Sequence, residues 1–164
     1  MSKNLKMKDF GWVWEGQGFD PGVLPTIFGV GEGPDFFGIS RAVYMFHPNT
    51  EFAMKKMSHL DEVICDIAKW DYIIVKSDDD LYGAQQVRNG TPERIIKEAK
   101  TVSNLSLKFP NVTGVLHDDM HGLLKKFGCT PESYGEIYDA VRSANKNLNL
   151  WACVYSQQCT PDQW

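Results

Sequence analysis

The sequence predicts an α/β protein, a TIM (β/α)8-type barrel of which this chain holds the first five strands. Three observations carry that prediction. Apolar runs of strand length alternate with amphipathic helical stretches, the pattern of a parallel sheet covered by helices. Two of the helical stretches open with Thr-Pro, at Thr91-Pro92 and Thr130-Pro131, which marks where those helices begin. Polar residues stand at the ends of successive strand runs: Glu15, His47, Asp66, Asp118 with Asp119, and Ser156 with Gln157. In a barrel those ends converge on one face, where barrel enzymes keep their chemistry. The rival is an open doubly wound sheet. It loses ground because no G-x-G-x-x-G follows the first strand and "GVGEGPDFFG" holds no P-loop lysine.

Each element has its own local reason. The first strand is "GWVWEG", residues 11 to 16. The stretch "QGFDPGVLPTIFGVGEGPDFFG" has six glycines, three prolines and no helical period, so it reads as a long structured loop of functional type. A second strand runs to His47, and Pro48 stops it. Asn49 or Thr50 then caps a helix near 50–60, with Phe52, Met57 and Leu60 close to one face. The β-branched Val63, Ile64 and Ile67 make 61–67 the third strand, with a continued helix as the alternative. Residues 71–90 form an excursion after it, in the shape of a small hairpin. A helix near 91–108 places Ile95, Ala99, Val102 and Leu105 on one face, and Pro110 ends it. Strand four is 112–118, and a helix near 131–144 leads to strand five, near 148–155.

The bulk numbers exclude whole classes of function. The chain has 164 residues, enough for one domain with a real core, and is 43% hydrophobic and 23% charged. Its net charge of −4 offers no basic footprint, so nucleic acid is not an expected partner. No apolar run reaches the ~18 residues of a membrane span, and "MSKNLKMKDF" has no apolar segment behind it. The four cysteines show no C-x-x-C pair, which favours reduced thiols and a cytoplasmic location.

The most informative stretch is "NVTGVLHDDMHG", residues 111 to 122, a strand that ends in two acids flanked by imidazoles. Burying adjacent carboxylates is costly unless they are paired or used. Strand parity places Val115, His117 and Asp119 on one side and Gly114, Leu116 and Asp118 on the other. Asp119, with Asp118 beside it, is the candidate catalytic acid/base, and Glu15 is the candidate second carboxylate. His47, Trp14, Asp66, Trp70, His117 and Tyr155 are the candidate substrate contacts, the aromatic ones as stacking platforms for sugar rings.

"VTGVLHDDM" resembles the strand-four signatures of barrel glycoside hydrolases. The chitinase-like group carries D-G-x-D-x-D-x-E there, its final Glu acting as general acid. This chain has Asp118 at the middle-acid position and Met120 where that Glu would stand. The "GWVWEG" opening adds a weaker likeness to sugar-active barrels. The resemblance implies a glycosidase-like hydrolase of carbohydrate substrates, working with carboxylates and without a cofactor.

A competing enzyme reading uses the same rim. His47, His117, Asp118, Asp119, His121 and Glu15 are of the types divalent metals use, as in barrel sugar isomerases and metal-dependent hydrolases. No H-x-H or H-E-x-x-H occurs, so no metal ligand is assigned from the sequence. A third reading keeps the rim without chemistry, as a carbohydrate-binding barrel. "KSDDDLYG" lacks the Gly and distal Glu of an EF-hand and reads as a solvated acidic turn. A whole barrel takes about 250 residues, so five strands are expected to be the N-terminal part of one. Their last strand would then offer an edge for self-association.

Overall fold

The computed structural model describes residues 5–14, 28–45, 47–76 and 82–160. Its elements are α1 (Met7–Phe10), β1 (Val13–Trp14), α2 (Glu32–Phe37), β2 (Arg41–Tyr44), α3 (Glu51–Lys56), β3 (Glu62–Asp66), β4 (Trp70–Lys76), β5 (Tyr82–Arg88), α4 (Pro92–Lys108), β6 (Val112–His117), α5 (Met120–Phe127), α6 (Pro131–Val141), β7 (Asn149–Ala152) and a 3-10 turn (Ser156–Gln158). Five strands form one sheet in the order β1-β2-β3-β6-β7, and every neighbouring pair is parallel. The order follows the chain without the reversal that defines a doubly wound sheet, which is barrel winding. The fold is a partial (β/α)8-type barrel with five of the eight strands. The excursion after the third strand is an antiparallel hairpin, Trp70 pairing with Arg88 and Lys76 with Tyr82.

The helices start where hydroxyl side chains take up orphan N–H groups. Thr50 Oγ1 accepts from the Ala53 N–H at 3.2 Å, and Thr91 Oγ1 from the Arg94 N–H at 3.3 Å. Thr130 and Ser133 cap reciprocally, at 3.2 and 2.9 Å. Each such cap contributes about 1 kcal/mol.

The two faces of the sheet have different fates. Ala42, Tyr44, Val63, Cys65, Val115 and Leu148 are buried in one cluster with Met54, Met57, Ile95, Val102 and Ile137 from the helices. The alternate residues Val43, Ile64, Leu116 and Trp151, with Trp12 ahead of β1, line an apolar cavity of about 200 Å³ on the other face. A register shift at Val63/Ile64 lets β6 keep this alternation, with Gly114 opposite Ile64 and Val115 opposite Cys65.

Two expectations needed correction. The described end of the long loop holds a helix, α2, where the absence of a helical period predicted a structured loop. Pro34 sits in its first turn, where a missing N–H costs nothing, and Gly38 ends it at φ 65. The sequence reading places no element between strand four and the helix near 131–144, yet Met120–Phe127 is helical and Gly128 closes it at φ 64. Gly122 inside so short an apolar run had hidden the period.

Burial of Cys65 has a measurable consequence. Desolvation pushes its thiol from 9.0 up to about 12. The unfolded thiol ionises first, so between those values the folded chain holds the extra proton and stability falls as pH rises. The slope reaches ~1.4 kcal/mol per pH unit. Lys69 works in the opposite direction, because burial lowers its ammonium below the usual value. Cys65→Ala is therefore expected to flatten the alkaline slope of stability when urea melts are run at a series of pH values. An unchanged slope would refute this account of the thiol.

Candidate functional site

The acids that end β6 meet the segment that follows β7. Cys153 continues β7 by donating its N–H to the His117 carbonyl at 3.1 Å. This brings Cys153 level with the Asp118–Asp119 turn. One ligand atom from each of Asp118, Asp119 and Cys153 lies within 4.8 Å of the others, all three half-buried. Two residues further on, the Tyr155 hydroxyl donates to Asp119 Oδ1 at 2.6 Å. That bond, foremost, pushes the phenol's ionisation well up, so Tyr155 stays a donor at neutral pH.

The backbone shows how the turn is made. Asp119 is the N-cap of α5 at φ 50, the non-glycine residue with positive φ among the described residues. Asp and Asn are the side chains that best tolerate that region. Parity along the strand is broken there, so Asp118 and Asp119 both serve one cluster where strict alternation would separate them.

The other sequence candidates are dispersed. His117 is fully buried on the helix side of the sheet, stacked on Tyr134 at 5.7 Å with its Nδ1 3.3 Å from the Tyr134 hydroxyl. It is a hydrogen-bonded core histidine. Burial raises the Tyr134 hydroxyl to about 12, keeping it protonated beside the ring. Asp66 is fully buried at the end of β3, and its Oδ1 accepts the Ala68 N–H at 2.9 Å. His47 lines a cavity of about 220 Å³ with Tyr44, Phe52, Lys56 and Glu32. Trp14 is exposed at the end of β1, and Trp70 opens the hairpin. Glu15 lies outside the described residues. His121 is half-buried in the first turn of α5.

Cys153 is the residue the sequence reading passed over. It had been grouped with incidental thiols, because its spacing to the acids, 34 residues beyond Asp119, carries no motif. The signal available was topological: a strand parallel to β6 delivers its end beside β6's end.

No protein-family model matches the chain, and no match was found among curated proteins or solved structures. Among the described residues no helix is long and apolar enough to cross a membrane.

Proposed function

We propose that this chain carries the rim of a metal-dependent barrel enzyme, a hydrolase or isomerase acting on sugar-like, hydroxyl-rich substrates. One observation carries the reading: Asp118, Asp119 and Cys153 present two carboxylates and a thiol within 4.8 Å at the C-terminal edge of adjacent parallel strands. Carboxylate and thiolate together suit a borderline divalent ion such as Zn²⁺. A bound ion would supply Lewis-acid polarisation of a substrate oxygen or a water activated at neutral pH. Tyr155 donates to Asp119 and so orients its carboxylate, which on this reading serves as the ligand or base. The exposed Trp14 and Tyr155 offer ring faces to a sugar.

The glycosidase-like reading uses the same Asp119 without an ion and requires a second carboxylate, for which Glu15 is the candidate. The two are separated by turnover of aryl glycosides and free aldoses before and after chelation. Activity abolished by chelator and restored by Zn²⁺ or Mn²⁺ supports the metal reading. Glycoside hydrolysis indifferent to chelator, yet lost in Asp119→Asn, transfers the assignment to carboxylate catalysis. Self-association belongs to the same proposal. Leu150 is half-buried and Trp151 exposed on β7, which offers an edge to another copy, so the elution volume in gel filtration should shift with concentration.

A further inference from the structure

The segment that follows the hairpin packs against α5, the helix that Asp119 caps. Gly90, the residue just before the capping Thr91, is buried against Leu123 of α5. A Cβ at Gly90 would lie 2.5 and 2.7 Å from the Leu123 methyls and 3.0 Å from its Cγ. Leu123 is itself buried, and its N–H donates to the Asp119 carbonyl at 3.1 Å, the bond that starts α5. So the path from the hairpin base to the acid is two residues long.

The hairpin side of this contact is anchored. The Asn89 N–H donates to the Lys69 carbonyl at 3.1 Å, closing the hairpin base, and Asn89 Nδ2 donates to Asp71 Oδ2 at 2.7 Å. Arg94 pairs with Asp71 at 3.6 Å and with Glu98 at 3.4 Å. Asn49 Nδ2 donates to Glu98 Oε2 and to the Asp66 carbonyl, each at 3.1 Å, tying the group to the end of β3. Partly buried polar contacts hold that side, so a bulkier residue at Gly90 presses on the buried Leu123 side chain and, through it, on α5.

We propose that Gly90 and Leu123 are positioning residues for the rim site: the base of the β4–β5 hairpin seats α5, and α5 sets Asp119 against Cys153 and Tyr155. The inference rests on the metal reading above and adds a residue distant in sequence from the cluster. Gly90 has no positive φ. A side chain there is opposed by Leu123 and not by its own backbone, which makes a compensating pair possible.

The test is Zn²⁺ titration by calorimetry on the full chain, with folding followed by circular dichroism. Gly90→Val is expected to weaken Zn²⁺ binding by ~10-fold or more, the size of effect seen when outer-shell support of a ligand is lost. Gly90→Val with Leu123→Ala should return affinity to within about threefold of the wild type, which general damage would not do. If Gly90→Val does not fold, Gly90→Ala is expected to show a smaller loss, relieved by Leu123→Val. A wild type that binds no Zn²⁺ overturns the metal reading and this inference with it. A wild type that binds, beside folded Gly90 variants of equal affinity or a pair that fails to rescue, overturns this inference alone.

Discussion

Asp119→Asn is expected to cost ~10²-fold or more in turnover, with an unchanged melting temperature. The loss is of the size that removal of a positioned acid/base or ligand produces. The variant is a clean one for a structural reason. Asp119 holds φ 50, and Asn tolerates that region as well as Asp, so the turn into α5 survives the change. Asp119→Ala would mix lost chemistry with backbone strain. Asn also keeps one oxygen able to accept from Tyr155, so the hydroxyl's partner remains while the negative charge goes. Asp118→Asn should behave alike if both carboxylates serve the cluster, and Tyr155→Phe should cost less than either. Full activity in both Asn variants, measured on aryl glycosides and aldoses, would remove the rim acids from the chemistry.

Gly114→Val is expected to destabilise the fold by about 3 kcal/mol, at the upper end of typical overpacking penalties. A Cβ there would stand 2.8 Å from the Asn149 carbonyl oxygen and 3.3 Å from the Trp151 indole nitrogen. The first is backbone of the neighbouring strand and cannot swing aside. Gly114 pairs with Asn149, so the strain falls on the β6–β7 ladder. That ladder leads to Asp118 and Asp119 beyond one strand and to Cys153 and Tyr155 beyond the other. Stability by urea melts and Zn²⁺ affinity should therefore fall together. A Gly114→Val protein as stable as the wild type would contradict the close approach of the two strands.

The barrel winding was legible because the strands that build it are short, nearly continuous apolar runs with strong punctuation. Thr91-Pro92 and Thr130-Pro131 placed the starts of α4 and α6 to the residue. The third strand was the ambiguous one, since Asp61–Trp70 fits a helix as well. Packing decided it: Val63 and Cys65 are wholly buried between β2 and β6, where a helix could not pair. The short helices α2 and α5 were illegible, because each is closed by an αL glycine after fewer than three turns.

The site divided along similar lines. Asp118 and Asp119 announce themselves by being polar at the end of a buried strand. His117 does so too, yet strand parity turns it into the helix layer beside Tyr134. Cys153 and the seat of α5 on Gly90 depend on which strand ends and loops become neighbours, and no local pattern in one sequence encodes that.

The central claim is that Asp118, Asp119 and Cys153 form one metal centre, and calorimetric titration of Zn²⁺ into the chelator-treated protein tests it most directly. The account predicts one ion per chain, with Asp118→Asn, Asp119→Asn and Cys153→Ser each weakening it by ~10-fold or more. A wild type that takes up no ion, or three variants that bind as it does, would contradict the account.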